Sequence, residues 1–171
     1  MWQLAAVIGE IALRRRGPES LPDSTFLTGL LFAVFSIMNL IYLLLQGGFG
    51  WLGLGNLAAQ LVLVFGFVFA ALTFFKLERR YRQTMSAILG VNIVVSLVYF
   101  PVALGGLALG VDLEGMPFNA IRYGFLLWSV IIEAHIFARA LSQPLLLGFM
   151  VELLYVLSSF SISDSFAPAV D

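Results

Sequence analysis

Five long apolar runs dominate the chain, at about 26–46, 57–75, 85–109, 123–140 and 145–162, each closed by charged or turn-forming residues. Crossing a hydrocarbon layer of about 30 Å takes about 20 residues of α-helix, and inside lipid every backbone N–H and C=O must be satisfied within the protein. The pattern therefore predicts an all-α fold, a polytopic integral membrane bundle of five transmembrane helices. Composition points the same way: 61% of residues are hydrophobic and 11% charged, whereas a soluble domain carries about 25% charged residues. With 171 residues, five spans and short loops leave no room for a soluble domain, so residues 1–171 read as a single membrane domain.

Several function classes drop out on the same grounds. Nine Lys and Arg in a chain of net charge −1 do not neutralise a phosphate backbone, so no nucleic-acid partner is expected. The chain has no cysteine and a single histidine, with no HExxH, GxSxG or phosphate loop, so neither an enzyme nor a bound metal or cofactor is expected. Gly48-Phe49-Gly50-Trp51-Leu52-Gly53 matches a dinucleotide fingerprint formally. That fingerprint works only between a strand and a helix, so here it reads as a glycine-rich reversal with aromatic residues at the membrane surface.

Charge placement sets the expected orientation. Arg14, Arg15 and Arg16 precede the first span, Lys76, Arg79, Arg80 and Arg82 separate the second from the third, and Arg139 ends the fourth. All fall on one side if five spans alternate. The segment 47–56 is uncharged and 110–119 holds only Asp112 and Glu114. The positive-inside rule then places the N-terminus in the cytoplasm and Asp164 and Asp171 outside. The basic residues are expected to meet anionic lipid headgroups or a cytoplasmic partner. Residues 1–13 precede the cations rather than follow them, unlike a signal peptide, and are expected to be retained. Leu4, Val7, Ile8 and Ile11 recur at helical spacing opposite Gln3 and Glu10, which predicts an N-terminal interfacial amphipathic helix over the basic end at 1–16. Ser24 or Thr25 is the expected N-cap of the first span.

The polar residues inside the spans carry most of the functional information, because placing them in hydrocarbon is costly. Ser142-Gln143-Pro144 joins spans four and five as a hairpin, and Glu133 and Glu152 stand equally far from its centre. At 1.5 Å per residue both lie roughly 13 Å from the turn, and Asn92 on span three falls at a similar depth. Two carboxylates there do not both stay ionised, and at least one is expected to be protonated unless Arg139, His135 or a bound ion compensates. Glu133 and His135 are about 200° apart around one helix, so a direct dyad is not expected. Glu133, His135, Glu152 and Asn92 thus form the candidate intramembrane polar site: either a proton or cation site, or protonated acids that fix helix packing. Asn39 and Gln60 are equidistant from the second loop and are expected to hydrogen-bond across that hairpin as a packing pair. Gly106 and Gly110 form a small-xxx-small pair suited to close helix approach.

The order of features is similar to a known family. An amphipathic N-terminus with Arg14-Arg15-Arg16 and Leu21-Pro22 leads into span one. Arg82-Gln83-Thr84-Met85-Ser86-Ala87 enters a span containing Pro101, and Leu127-Trp128-Ser129 precedes Ala138-Arg139-Ala140-Leu141 before the last turn. This resembles bacterial members of the Yip (Ypt/Rab-interacting) membrane-protein family. The resemblance implies five spans, a cytoplasmic N-terminus, an outside C-terminus and residence in the bacterial cytoplasmic membrane. The resulting expectation is a non-enzymatic scaffold or adaptor that binds other membrane proteins, or itself as a homo-oligomer, or shapes the bilayer. The alternative is a small proton-coupled transporter or channel subunit using Glu133 and Glu152.

Overall fold

The structure, a computed structural model, describes residues 2–45, 50–110 and 115–166. Asp112, Glu114, Asp171 and the first two residues of the 48–53 glycine motif lie outside them. Among the described residues there are six α-helices and no strand: α1 (Trp2–Ala12), α2 (Thr25–Leu45), α3 (Trp51–Phe74), α4 (Tyr81–Ala108), α5 (Met116–Leu141) and α6 (Leu145–Ser165). The last five are long and apolar enough to cross a membrane.

Two of them begin six and seven residues before the apolar runs. α3 starts at Trp51 and carries Gly53 and Gly55 inside the helix. Water does not compete for backbone hydrogen bonds in lipid, so glycine costs a helix less there than in a soluble protein. α5 starts at Met116, with Pro117 in its first turn, where the missing N–H has no intrahelical partner to lose. Ser24 caps α2, its Oγ accepting the N–H of Leu27 at 3.2 Å. α4 continues through Pro101.

The helices do not pack in chain order. α5 and α6 form a tight hairpin, α2 lies on α4, and α3 on α6, while α2 and α3 scarcely touch. At Gly148 the α5–α6 approach is closest: a Cβ there would collide with the Ala134 carbonyl oxygen and stand 2.8 Å from the Ala138 Cβ. Among the described residues no helix approaches Gly110 closely, for a Cβ there meets nothing within 4 Å. Gly110 follows the end of α4 with φ +67°, a helix-ending conformation that glycine adopts without strain.

The core occupies one half of the bundle, the end that holds the basic turns. Val68, Leu72, Met85, Ile88, Leu89, Ile132, Ile136, Phe137 and Leu141 are almost wholly buried there. α1 joins this core: Ile11 and Ala12 are buried and Ile8 rests against Gly90, whose absent side chain leaves its seat. The apolar face expected to rest on lipid is thus partly covered by α4, while Trp2 stays exposed. A strap follows, anchored by buried Leu21, whose carbonyl accepts Gln83 Nε2 at 2.8 Å.

Three helices end at the basic turns in the same way. Arg14, Lys76 and Ser142 take left-handed backbone conformations, and the next N–H in each case (Arg15, Leu77, Gln143) bonds to a carbonyl five residues back, at 2.8, 2.8 and 2.9 Å. This Schellman closure satisfies carbonyls that a helix end leaves open. Arg80 Nη1 closes α5 further, donating to the Ala140 carbonyl at 2.9 Å and Ser142 Oγ at 2.7 Å. Cations at these C-termini also meet the negative ends of the helix dipoles.

Candidate functional site

Above the packed half the bundle opens. A cavity of about 230 Å³ is lined by polar groups from three helices: Asn92 of α4, Ser129 and Glu133 of α5, and Glu152, Tyr155 and Ser159 of α6. The α5–α6 turn sets the depth of the two acids, so the carboxyl groups share one enclosure as their spacing from the turn predicts. Glu133 is 5% exposed and Glu152 2% exposed.

Their hydrogen bonding differs. Asn92 Nδ2 donates to Glu133 Oε1 at 3.1 Å and to the Ile88 carbonyl at 3.0 Å, so its amide is fixed by its own helix before it meets the acid. Among the described residues Glu152 Oε2 is buried without a hydrogen-bond partner, as is Ser36 Oγ of α2. An ionised carboxylate with an unmatched oxygen is very costly at this depth, so the pair needs a proton or a cation to be stable.

A second cavity, of about 370 Å³, shares Asn92, Leu126, Ser129 and Phe160 with the first and extends away from the basic turns. Its walls include Asn39, Tyr42, Ser96, Tyr99, Phe100 and Arg122. Tyr42 stacks on Phe100 with ring centroids 5.5 Å apart, and Tyr99 meets Phe125 edge-on at 5.4 Å, so stacked rings shape this wall. The two spaces adjoin at these four residues and are together called the vestibule, with Glu133 and Glu152 lining the part nearer the basic turns.

The remaining residues singled out in the sequence fall elsewhere. His135 turns away from the acids and its Nε2 donates to the Arg16 carbonyl at 3.2 Å, as the 200° separation from Glu133 requires. Asn39 and Gln60 do not pair. Asn39 Nδ2 donates to its own helix at the Phe35 carbonyl, 2.9 Å. Gln60 instead exchanges bonds with α6: its Nε2 donates to the Ser159 carbonyl at 2.9 Å and Ser163 Oγ at 3.2 Å, while Ser159 Oγ donates to Gln60 Oε1 at 2.8 Å. The cause is the separation of α2 from α3, which leaves α6 as the partner of α3.

Four of the eight basic residues are engaged within the chain. Arg16 pairs with Glu10 at 2.5 Å, Arg82 with Asp23 at 3.4 Å, Arg139 with Glu19, and Arg80 caps α5. Partial burial pushes the Glu19 carboxyl up, but its own backbone N–H and the Arg139 and Arg80 guanidiniums outweigh burial and hold it below its ordinary value. Among the described residues Arg14, Arg15, Lys76 and Arg79 are exposed and enter no ion pair.

Ser129, Tyr155 and Ser159 line the site without having been singled out. Their signal is helical spacing: Ser129 stands one turn before Glu133, and Tyr155 and Ser159 follow Glu152 by three and seven residues on the same face. No family model matches the chain, and no curated protein or solved structure is significantly similar to it.

Proposed function

We propose that the chain is a small proton-coupled transporter or channel subunit in which Glu152 and Glu133 bind the coupling cation. The observation that carries this reading is Glu152 Oε2, which has no partner among the described residues and is buried beside a vestibule lined with polar side chains. Gln60, which holds α3 to α6, is matched by its neighbours, and Glu152 is not. Here one oxygen is left for a proton or cation to occupy. Asn92 holds Glu133 in a fixed orientation, so the two acids are not equivalent, and Glu152 is the acceptor that an entering cation meets unpaired. With the basic turns in the cytoplasm of a bacterium, the vestibule faces outward.

The test is reconstitution into proteoliposomes under an imposed pH gradient. Wild-type protein is expected to pass protons, and Glu152→Gln and Glu133→Gln to abolish the flux while the protein stays folded. Absence of flux in the wild type, or flux unchanged in both variants, overturns the proposal.

A scaffold resembling the Yip family is the second reading. What favours it is the basic end, where Arg14, Arg15, Lys76 and Arg79 stand exposed and unpaired among the described residues. Copurification from native membrane tests it: a stoichiometric protein partner lost on neutralising those four cations supports it, and recovery of the chain alone opposes it.

A further inference from the structure

α2 and α3 follow one another in the chain yet scarcely touch, and the gap between them is a slot of about 580 Å³. Gly29, Phe32, Leu61, Val62 and Phe65 give it apolar walls, with Phe32 and Phe65 meeting edge-on at 5.1 Å. At its basic end the slot reaches Thr25, Thr28, Tyr81 and Arg82. Tyr81 and Arg82 also line a second cavity of about 520 Å³, which adds Asp23, Glu78 and Arg79. An apolar slot at membrane depth thus runs into a charged chamber at the membrane surface.

The dimensions and polarity fit one molecule of a double-ended kind. The slot accepts an acyl chain, and the chamber presents two guanidiniums and two carboxylates side by side. Arg82 and Asp23 are joined only by a long contact of 3.4 Å between half-exposed side chains, an arrangement of little net stability that a ligand can replace. Glu78 and Arg79 are exposed and enter no ion pair among the described residues. Guanidiniums suit a phosphate, to which they donate in pairs. Carboxylates suit a group that carries N–H donors and positive charge. A purely anionic headgroup would leave Asp23 and Glu78 facing like charge, and a quaternary ammonium would offer them no N–H donor.

We infer that the α2–α3 slot and the chamber below it form a binding site for a phospholipid whose headgroup carries both a phosphate and a primary ammonium. The acyl chain lies between Phe32 and Val62, the phosphate sits at Arg82 and Arg79, and the ammonium donates to Asp23 and Glu78. The bound lipid fills the wedge that the chain leaves between α2 and α3, and so fixes a helix that otherwise rests mainly on α4. This site is separate from the Glu133–Glu152 vestibule.

Binding is measured on the full chain in detergent, by native mass spectrometry, with phosphatidylethanolamine, phosphatidylcholine and phosphatidylglycerol of identical acyl chains as probes. Phosphatidylethanolamine is expected to bind the wild type about two- to five-fold more tightly than either competitor, the range for a partly exposed charge pair. Asp23→Asn combined with Glu78→Gln is expected to remove that preference over phosphatidylcholine. Gly29→Phe fills the slot from a position where an added Cβ meets nothing within 4 Å, so the fold is kept while all three lipids bind more weakly. Equal binding of the three lipids to the wild type overturns the inference, as does a Gly29→Phe variant that binds as the wild type does.

Discussion

Gly148→Ala adds one methyl group where α5 and α6 approach most closely. The new Cβ would meet the Ala134 carbonyl oxygen, stand 2.7 Å from the Ala138 amide nitrogen and 2.8 Å from the Ala138 Cβ. Two of the three obstacles are backbone atoms of a helix, which no rotamer change relieves. The Ala134 carbonyl oxygen is nearer still and sets the requirement: to regain ordinary contacts of 3.4 Å the helices must separate by about an ångström, and overpacking costs about 1–3 kcal/mol, more in the tightest cases. The displacement falls one turn from Glu152 and beside Glu133, so it also alters how the two acids share their cavity. Thermal or denaturant unfolding in detergent reads the cost, with Gly66→Ala and Gly124→Ala as controls, since a Cβ at either position meets nothing within 4 Å. The controls are expected to stay within about 0.5 kcal/mol of the wild type. A Gly148→Ala protein as stable as the controls would show that α5 and α6 do not pack backbone to backbone, and the shared depth of Glu133 and Glu152 would lose its basis.

Glu19 provides a pH dependence of known sign. Its folded-state carboxyl is held below its ordinary value, so the stabilisation from its pairing with Arg139 is complete above the unfolded-state value and disappears as pH falls through the folded one. The protection of the strap amides, exchange divided by the intrinsic rate at each pH, is therefore expected to be high at neutral pH and to fall in acid, with Glu19→Gln removing that dependence; protection independent of pH in the wild type would refute the pairing. In a double-mutant cycle, Gln60→Leu is expected to cost about 0.6–2 kcal/mol through its lost bonds to Ser159 and Ser163, with no coupling to Asn39→Leu. A coupling energy of 1 kcal/mol or more would restore the hairpin pairing that the structure rejects.

The five helices long and apolar enough to cross a membrane were legible because apolar length is set by bilayer thickness, a constraint that acts on each run independently. The common depth of Glu133 and Glu152 was legible too, since a three-residue turn leaves α5 and α6 few alternatives to an antiparallel hairpin. The same reasoning failed for Asn39 and Gln60. Counting from a turn gives depth along the membrane normal but not azimuth, and α2 and α3 face different neighbours. The serines of α6 at 159 and 163 were the missing half of the Gln60 network, spaced one turn apart on one face. The burial of α1 was not legible either, because Gly90 reads as a weak point in a helix until the helix laid against it is known.

Water in the vestibule is the property from which the proposed function follows, and the absence of cysteine from the chain makes it directly measurable. Ser129 lines both cavities, whereas Leu154 is 60% exposed on an outer face of α6, where hydrocarbon surrounds it. A thiol reacts as the thiolate, which forms only where water reaches it. In sealed vesicles, Ser129→Cys is expected to react with a membrane-impermeant thiol reagent added on the side opposite the basic turns, and Leu154→Cys to stay unmodified from either side. An inert Ser129→Cys beside a folded bundle would mean that the cavity is dry, and that Glu133 and Glu152 serve packing alone.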